Sequence, residues 1–319
     1  MIIKKVLLGL LLVFFSQIIC SQNRHIDIVV ATDGSGQFSS IQAAINSVRD
    51  YQANRTVIFI KNGIYHEKIV IPTWKTNITL IGESEDSTVI TFGDYASLNH
   101  MGTFKTYTCL AQGDGFHAEN LTFQNSAGKV GQAVALHVES DCAEIIHCKL
   151  LGNQDTLFTG NQNSRQFYKD CYIEGTTDFI FGPATAWFEG CTICSKQNSY
   201  VTAASTPVNN LYGYVLDHCT LIATNSVTKV FLGRPWRPYA SVIYMNCNLG
   251  SQIRPDGWDN WRNTENEKTA RFAEYKNVGT GAATQERVAW SHQLSKSQAD
   301  EVTFQHVFAG THPWIPDCK

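Results

Sequence analysis

A cysteine recurs through the middle of the chain in a constant local context, and this repeat limits the possible folds more than any other feature. In each copy a further residue and then Leu or Ile follow the cysteine. The five copies read IIHCKLLG, YKDCYIEG, FEGCTICS, LDHCTLIA and YMNCNLGS, and they are centred on Cys148, Cys171, Cys191, Cys219 and Cys247. Successive cysteines lie 23, 20, 28 and 28 residues apart. HAENLTFQN is a degenerate earlier copy.

The segments between these cysteines predict short β-strands. They are rich in Val, Ile, Phe, Thr and Tyr, and Gly, Asn and Asp turns separate them. Long helical patterns are missing there, which disfavours a sheet built from βαβ units. Repeats of 20–28 residues match one coil of a parallel β-solenoid. We therefore predict an all-β solenoid in which the cysteines form an inward-facing ladder, with an antiparallel sandwich as the alternative.

The two ends of the repeat region have different patterns and are predicted to close the solenoid. GQFSSIQAAINSVRD places Ser39 or Ser40 as the N-cap of a short amphipathic helix, which would cover the first coil. Its apolar face consists of Ile41, Ala44, Ile45 and Val48. From Gly250 onward the repeat fades into a loop-rich segment, which we expect to pack on the solenoid flank. We interpret residues 22–319 as one domain.

The first 21 residues have the pattern of a secretory signal peptide. Lys4 and Lys5 precede the apolar run 6–15, which is too short to span a membrane as a helix. Cleavage near Cys20 or Ser21 would release a secreted protein that does not bind membranes. Nine cysteines then remain, which suits an oxidising compartment and leaves at least one unpaired within the chain.

Charge and glycosylation motifs add weaker limits. The formal net charge is −3, which becomes −5 without Lys4 and Lys5. Because the chain is mildly acidic and has no Lys/Arg cluster, we predict that it does not bind nucleic acid. A monomer is the default expectation. N-glycosylation is permitted at the sequons of Asn54, Asn77 and Asn120.

Two aspartates occupy the same position in consecutive copies of the repeat. Asp155 lies seven residues after Cys148, and Asp178 lies seven residues after Cys171. If the cysteines stack, the two carboxyl groups lie about 5 Å apart, the spacing of adjacent strands. At that offset the later coils carry no acid, but Asn198, Ser226 and Arg254.

Two carboxyl groups so close cannot both ionise at low cost, so one acts as a neutral acid beside an ionised partner. A structural ladder of turn-capping side chains is the alternative. The spacing also suits a retaining glycosidase. Two glutamines favour acyl transfer instead, because a primary amide donates hydrogen bonds to a developing oxyanion. Gln154 directly precedes Asp155, and Gln132 begins QAVALHV in the preceding coil.

FLGRPWRP adds an arginine and a tryptophan suited to the same site. Arg234 can bind a carboxylate through two hydrogen bonds and lower its pKa. Trp236 offers a flat apolar face on which a sugar ring can stack. By itself, Arg234 fits equally well as a surface arginine in a turn.

These motifs together resemble the pectin methylesterase family over essentially the whole mature chain. GIYHEK, QAVAL, NQDTLF, DFIFG and LGRPW carry the resemblance in the family's order. It implies a right-handed parallel β-helix that hydrolyses methyl esters in pectin. By resemblance, Asp178 is the nucleophile, Asp155 the general acid and base, and Gln132 and Gln154 the oxyanion donors. Arg234 would orient Asp178 and keep it ionised.

The resemblance also implies substrate contacts and a disulfide. Trp236 and Phe181 would line the sugar cleft, and Thr103 would add a contact upstream. Relatives often bridge the positions that match Cys171 and Cys191; stacking of the coils equally admits a Cys148–Cys171 bridge.

The family needs no metal or organic cofactor. CTIC resembles a metal or redox motif, but residues three apart on a strand face opposite sides, so we predict no metal site. Two other functions remain open. One is a polygalacturonase or pectate lyase on the same type of solenoid. The other is a catalytically inactive carbohydrate-binding solenoid, which loss of a catalytic residue would favour.

Overall fold

The chain winds into a parallel β-helix. The computed structural model describes residues 25–310 and 312–317; the predicted signal peptide lies outside these residues. Three parallel sheets, which we call A, B and C, form the walls, and each complete coil contributes one strand to each wall in turn. The coil that begins at Ala143, for example, passes through sheet A, sheet B and sheet C before sheet A resumes at Arg165. The all-β solenoid prediction is confirmed, and the sandwich alternative is wrong.

Numbered along the chain, the strands fall into three ordered sets. Sheet A contains β1 (Ile28–Val30), β2 (Thr56–Ile60), β5 (Ile78–Gly82), β8 (His117–Glu119), β11 (Ala143–Ile146), β14 (Arg165–Lys169), β17 (Thr185–Glu189), β20 (Tyr214–Asp217), β23 (Ser241–Met245), β25 (Arg271–Tyr275) and β26 (His292–Gln293). Sheet B contains β3 (Gly63–Tyr65), β6 (Thr88–Phe92), β9 (Thr122–Asn125), β12 (Lys149–Leu151), β15 (Tyr172–Gly175), β18 (Thr192–Ser195), β21 (Thr220–Ala223) and β24 (Asn248–Leu249). Sheet C contains β4 (Ile69–Ile71), β7 (Cys109–Ala111), β10 (Leu136–Val138), β13 (Leu157–Thr159), β16 (Ile180–Gly182), β19 (Tyr200–Ala204) and β22 (Phe231–Gly233).

The core lies between the three sheets and is built from rows of like residues. In sheet A the central inward row contains Tyr168 on β14 and Phe188 on β17, whose rings stack at 4.7 Å with an interplanar angle of 11°. Both side chains are fully buried. Burying each such ring contributes about 1.5–3 kcal/mol. Because every coil repeats the same inward positions, the core is continuous along the helix.

The predicted cysteine ladder is confirmed and lies at the turn between sheets A and B. All five cysteines are at most 1% exposed. Each follows a residue with positive φ, which turns the chain from one sheet into the next; these residues are His147, Asp170, Gly190, His218 and Asn246. In the degenerate copy, Leu121 takes the place of the cysteine after Asn120, which also has positive φ.

The thiols satisfy carbonyl groups at this turn. Cys247 Sγ lies 3.3 Å from the carbonyl of Leu216 in the preceding coil. One coil later, the side-chain amide of Asn277 donates to the carbonyl of Tyr244 at 3.2 Å, the equivalent contact. The cysteine thiol therefore contacts the same carbonyl position that the Asn277 amide contacts in the last coil, which explains why the cysteine recurs.

The predicted Cys171–Cys191 disulfide is not present, and neither is the alternative Cys148–Cys171 bridge, because all three cysteines are free thiols. Cys171 instead contacts the carbonyls of Ile145 and Lys169, at 3.3 and 3.4 Å. In-register parallel strands hold equivalent Cβ atoms near the strand spacing of about 4.7–4.9 Å, with parallel Cα–Cβ bonds. A disulfide requires a Cβ–Cβ distance of about 3.5–4.5 Å. Stacking thus disfavours the bridge.

Both end segments lie as predicted. Helix α1 (Ile41–Ser47) begins after Ser40, whose side chain accepts a hydrogen bond from the Ala43 amide, and it buries Ile41, Ala44 and Ile45. The C-terminal segment contains α2 (Lys296–Asp300) and α3 (Phe304–Val307), which pack on the outer face of sheet A and form a second apolar core. Short 3-10 turns lie at Leu98–His100, Thr103–Lys105, Thr264–Lys268 and Thr280–Ala282. Among the described residues, no helix is long and apolar enough to cross a membrane.

Candidate active site

The structure brings the two predicted aspartates together on neighbouring coils. Asp155 precedes β13 and Asp178 precedes β16, and these strands pair with Leu157 opposite Ile180. The register therefore places Asp155 directly beside Asp178. Both residues are nearly buried, at 7% and 6% exposure. A strand spacing of about 4.7–4.9 Å brings the two carboxyl groups within strong electrostatic range.

Both aspartates have the same unusual backbone conformation. The φ angles are 65° at Asp155 and 49° at Asp178, in the left-handed region. Aspartate tolerates this region better than most residues with a Cβ. Each residue also keeps a backbone hydrogen bond to the next coil, since its amide donates to the carbonyl of Thr177 or Tyr200 respectively. The two side chains consequently leave the sheet in the same direction.

The glutamines lie beside this pair. A backbone bridge pairs Gln132 with Gln154, and the Ala133 amide donates to the Gln154 carbonyl at 3.1 Å. Both side chains are half-buried. Because Gln154 directly precedes Asp155, the two amides and the two carboxyl groups belong to three consecutive coils. The backbone therefore brings the two glutamines and the two aspartates onto neighbouring coils.

Arg234 binds Asp178 in the predicted bidentate manner. It follows β22 and reaches back across one coil, where its Nε donates to Asp178 Oδ1 at 2.9 Å and its Nη2 to Asp178 Oδ2 at 2.6 Å. The side chain of Arg234 is 19% exposed. A largely buried bidentate pair of this kind is strong and directional. It fixes the plane of the Asp178 carboxyl group.

The pKa values of the two aspartates are perturbed differently. Burial and the nearby charge of Asp178 raise the pKa of Asp155 to about 8, which Arg234 opposes only through space. Burial also raises the pKa of Asp178, but there the direct hydrogen bonds and the charge of Arg234 oppose the shift. Near neutral pH, Asp178 is therefore the better candidate for the ionised group, and Asp155 for the neutral acid.

The predicted sugar-binding residues belong to an aromatic cluster on the outer face of sheet C. Phe181 lies one coil from Phe158, with ring centroids 4.8 Å apart, and 5.9 Å from Trp236. Phe104 joins them from a loop, with its ring 4.9 Å from Phe158 and 6.5 Å from Trp236. Phe104 is 48% exposed, so the cluster is accessible to solvent.

Sequence reasoning selected Thr103 rather than its neighbour Phe104. Thr103 begins a 3-10 turn, and its carbonyl accepts a hydrogen bond from Thr106 Oγ1 at 2.7 Å. The ring contacts are made by Phe104. His137 is a further cluster member that was missed, 4.6 Å from Phe158 and with its Nε2 2.9 Å from Glu139 Oε1. His137 has the same position in its coil as Phe158 has in the next, and this equivalence was the signal from which His137 could have been found.

One expectation about the later coils needs correction. The constant offset from the cysteines predicted Asn198 and Ser226 in line with the aspartates. The structure instead places Tyr200 in line with the aspartates, where its carbonyl accepts a hydrogen bond from the Asp178 amide. Phe231 has the same position in the next coil. Arg254 then follows as predicted. The turns between sheets B and C are two and five residues longer in these coils, because Tyr200 lies nine residues and Phe231 twelve residues after the preceding cysteine.

No metal site accompanies this arrangement in residues 25–310 and 312–317, where no three His, Cys, Asp or Glu side chains are placed to bind an ion. A separate cavity of about 490 Å³ lies between sheet A and the C-terminal helices. Asp141, Arg165 and His306 are among its lining residues, and it contains neither Asp155 nor Asp178.

Comparisons with known proteins identify the family of the chain. A family model described as Pectinesterase matches residues 27–311. Pectinesterase 31 of Arabidopsis thaliana is 39% identical over 300 residues, which cover 90% of this chain and 94% of that protein. Probable pectinesterase/pectinesterase inhibitor 19 of the same plant is 38% identical over 307 residues, or 92% of this chain. The chain spans only 58% of that second protein's length.

Solved structures extend the likeness to three dimensions. A pectin methylesterase from carrot superposes with a TM-score of 0.87 at 35% identity, covering 91% of this chain and 95% of that one. A pectin methylesterase in complex with hexasaccharide VII superposes with a TM-score of 0.78 at 30% identity, covering 92% and 100%. Fold and relatives together define the class as a β-helical carboxylic ester hydrolase. More particularly, the chain belongs to the pectinesterase family.

Proposed function

We propose that this chain is a pectin methylesterase that converts methyl-esterified galacturonate units into free carboxylates and methanol. The observation that carries the proposal is the asymmetry of the aspartate pair. Asp155 and Asp178 are equivalent in register, yet only Asp178 is held by Arg234 through two hydrogen bonds. One carboxyl group is therefore suited to attack and the other to donate a proton.

The proposed reaction begins with attack of the Asp178 carboxylate on the ester carbonyl carbon. The carbonyl electron pair moves onto oxygen, and the amides of Gln132 and Gln154 donate hydrogen bonds to this oxyanion. When the intermediate collapses, the C–O bond to the methoxy group breaks, and Asp155 transfers its proton to the departing oxygen. Methanol leaves, and an anhydride joins Asp178 to the sugar carboxyl group.

Hydrolysis of the anhydride restores the enzyme. Asp155, now a carboxylate, removes a proton from water as the water oxygen attacks the sugar-derived carbonyl. The bond to Asp178 breaks, its carboxylate returns to Arg234, and the galacturonate leaves as a free acid. These groups supply the nucleophile, acid, base and oxyanion donors, so the proposed reaction needs no metal or organic cofactor.

The aromatic cluster supports pectin as the proposed partner. Trp236, which contacts the nearly buried Phe181, and the exposed Phe104 present apolar rings, and such rings stack on pyranose faces. A related pectin methylesterase was solved with a hexasaccharide, which agrees with a substrate of several sugar units. Thr103 is proposed to contribute at the edge of the same surface.

Methanol release and chain length together test the proposal. Purified protein is incubated with highly methylated pectin, and both quantities are followed over time. Methanol without shortening of the polymer is expected. Shortening would indicate a polygalacturonase or lyase instead, and neither product would indicate a carbohydrate-binding solenoid.

We further propose that residues 1–21 form a signal peptide and that residues 22–319 act as a secreted single-domain monomer. The continuous strand order of sheet A, from β1 to β26, supports one folding unit. N-terminal sequencing of the exported protein should begin near Ser21, and light scattering should give the mass of one chain. A cytosolic, uncleaved product would refute the localisation.

The activity of the wild-type protein is expected to have a bell-shaped pH dependence. kcat/KM should fall as the pH rises through about 8, because Asp155 must be protonated to donate and its pKa lies there. It should also fall in acid, because protonation of Asp178 removes the nucleophile. Methanol release between pH 4 and pH 10 measures both limbs. Residual activity of Asp155→Asn should lack the alkaline limb; persistence of that limb would contradict the assignment.

Each oxyanion glutamine is expected to contribute mainly to kcat. Gln132→Ala or Gln154→Ala should lower kcat by about 10²–10³, the usual cost of removing one oxyanion donor, with little change in KM. Initial rates of methanol release against pectin concentration separate the two constants. Gln162→Ala, on the exposed loop after β13, is the matched control and should leave both unchanged. A loss smaller than tenfold in both active-site variants would argue against an oxyanion role.

A further inference from the structure

The guanidinium group of Arg234 lies against two aromatic rings. Its Cζ atom is 3.9 Å from the centroid of the Tyr200 ring and 3.6 Å from the centroid of the Trp261 ring. The same guanidinium directs Nε and Nη2 at Asp178. Rings that cover the faces of a guanidinium leave its N–H groups free at the edge. The two contacts thus restrict the plane of Arg234 while its edge binds the carboxylate.

Other contacts fix each ring in turn. The Tyr200 ring stacks on Phe231 at 5.2 Å with an interplanar angle of 16°. Phe231 is covered by Arg254, whose Cζ lies 4.5 Å from the ring centroid and whose guanidinium binds Asp256 through two hydrogen bonds. Tyr200, Phe231 and Arg254 continue the register of the aspartates through three further coils.

Trp261 is held from a different part of the chain. It has a φ angle of 61°, and its amide donates to Asp259 Oδ1 at 2.8 Å. The Asp259 amide in turn donates to the Gly233 carbonyl at 3.2 Å, which ties this loop to the end of β22. Sheet C and the C-terminal loop region therefore each provide one of the two rings that contact Arg234.

The positions of these rings leave little room for a sugar on Tyr200. Asp178 lies in the coil before Tyr200, and Phe231 lies in the coil after it. Arg234 contacts the Tyr200 ring as it reaches toward Asp178, and Phe231 stacks from the other direction. A ring contacted in this way can position an arginine, but it has no free face for stacking on substrate.

We propose that Tyr200 and Trp261 are positioning residues that clamp Arg234 against the nucleophile Asp178. This inference rests on the proposed esterase function. Without either ring, the guanidinium gains access to solvent and spends less time on Asp178. The nucleophile is then less often ionised and correctly aimed, although loss of the Tyr200 ring removes no sugar contact.

The test compares leucine with phenylalanine at both positions. Tyr200→Leu and Trp261→Leu should each lower kcat by about tenfold, the loss of one cation–π contact, with KM within a factor of about two of wild type. The acidic limb of the pH profile should move to higher pH. Tyr200→Phe and Trp261→Phe keep a ring face and should resemble wild type. Trp74→Leu, at an exposed tryptophan near α1, is the control and should change neither constant.

Three outcomes would overturn the clamp. In the first, KM rises and the acidic limb does not move, which would make the rings sugar contacts. In the second, the leucine variants are identical to wild type. In the third, the phenylalanine variants are as impaired as the leucine variants. If a leucine variant does not fold, as judged by circular dichroism, the methionine variant replaces it, because methionine has a similar volume. Its result is interpreted in the same way. The carboxyl ¹³C titration of Asp178 is a readout independent of turnover. If wild type releases no methanol, the proposed function fails, whereas the titration still decides the clamp.

Discussion

Asp178→Asn is expected to lower kcat for methanol release by at least about 10⁴-fold, the scale seen when a catalytic nucleophile is removed. An amide cannot attack the ester carbonyl to form the anhydride. The fold should survive, because asparagine has almost the same shape as aspartate and tolerates the φ of 49° found at this position. One hydrogen bond to Arg234 is retained through the amide oxygen. Methanol assays, with thermal unfolding of the same sample, measure both effects.

The matched control for this variant is Asp170→Asn. Asp170 also has positive φ, at 51°, but it is exposed at the turn between β14 and β15. Its replacement makes the same chemical change under the same backbone demand, so activity and unfolding temperature should both stay at the wild-type level. Turnover of Asp178→Asn near that of wild type would remove Asp178 from its assigned role.

Asp155→Asn is expected to lower kcat by about 10²–10⁴, the usual contribution of a positioned general acid and base. Asparagine at this position cannot protonate the departing methoxide or activate water. The effect should be smaller than that of Asp178→Asn, because the nucleophile and its Arg234 partner stay in place. Steady-state methanol release on methylated pectin gives the size of the loss.

The leaving group provides a sharper test of the same residue. A trifluoroethyl ester releases a more acidic alcohol, so its departure depends less on Asp155. The variant should then give a rapid burst of about one alcohol per enzyme, followed by slow turnover, because hydrolysis of the anhydride still lacks its base. Equal losses for methyl and trifluoroethyl esters, without a burst, would show that Asp155 does not protonate the leaving group.

Much of the site was predictable because it lies on regular coils. Asp155 and Asp178 follow their cysteines by the same seven residues, so a single assumption, that the cysteines stack, was enough to bring them together. Gln154 is adjacent to Asp155 along the chain, and Arg234 lies in a motif of the family. The inferences on Asp155, Asp178 and Gln154 needed only local sequence and one repeat, whereas the partner of Arg234 came from the family resemblance.

The residues that sequence reasoning missed depend on turn length or on loops. Tyr200 and Phe231 continue the aspartate column, but longer turns move them away from the offset that the cysteines predict. Phe104 and Trp261 come from loops whose course no repeat specifies. The Cys171–Cys191 bridge was wrong because proximity of the coils was considered without the direction of the Cα–Cβ bonds.

By itself the sequence determined the solenoid, its cysteine ladder and the adjacency of two acids, since a repeat with inward apolar positions has one economical way to bury them. Apart from the family resemblance, it did not determine which of the two acids binds a cation, or which cation that is. That depended on Arg234 crossing a coil to Asp178 and on two rings from distant segments contacting it. Side-chain reach and loop course are properties of the folded chain, and so only the tertiary structure could decide them.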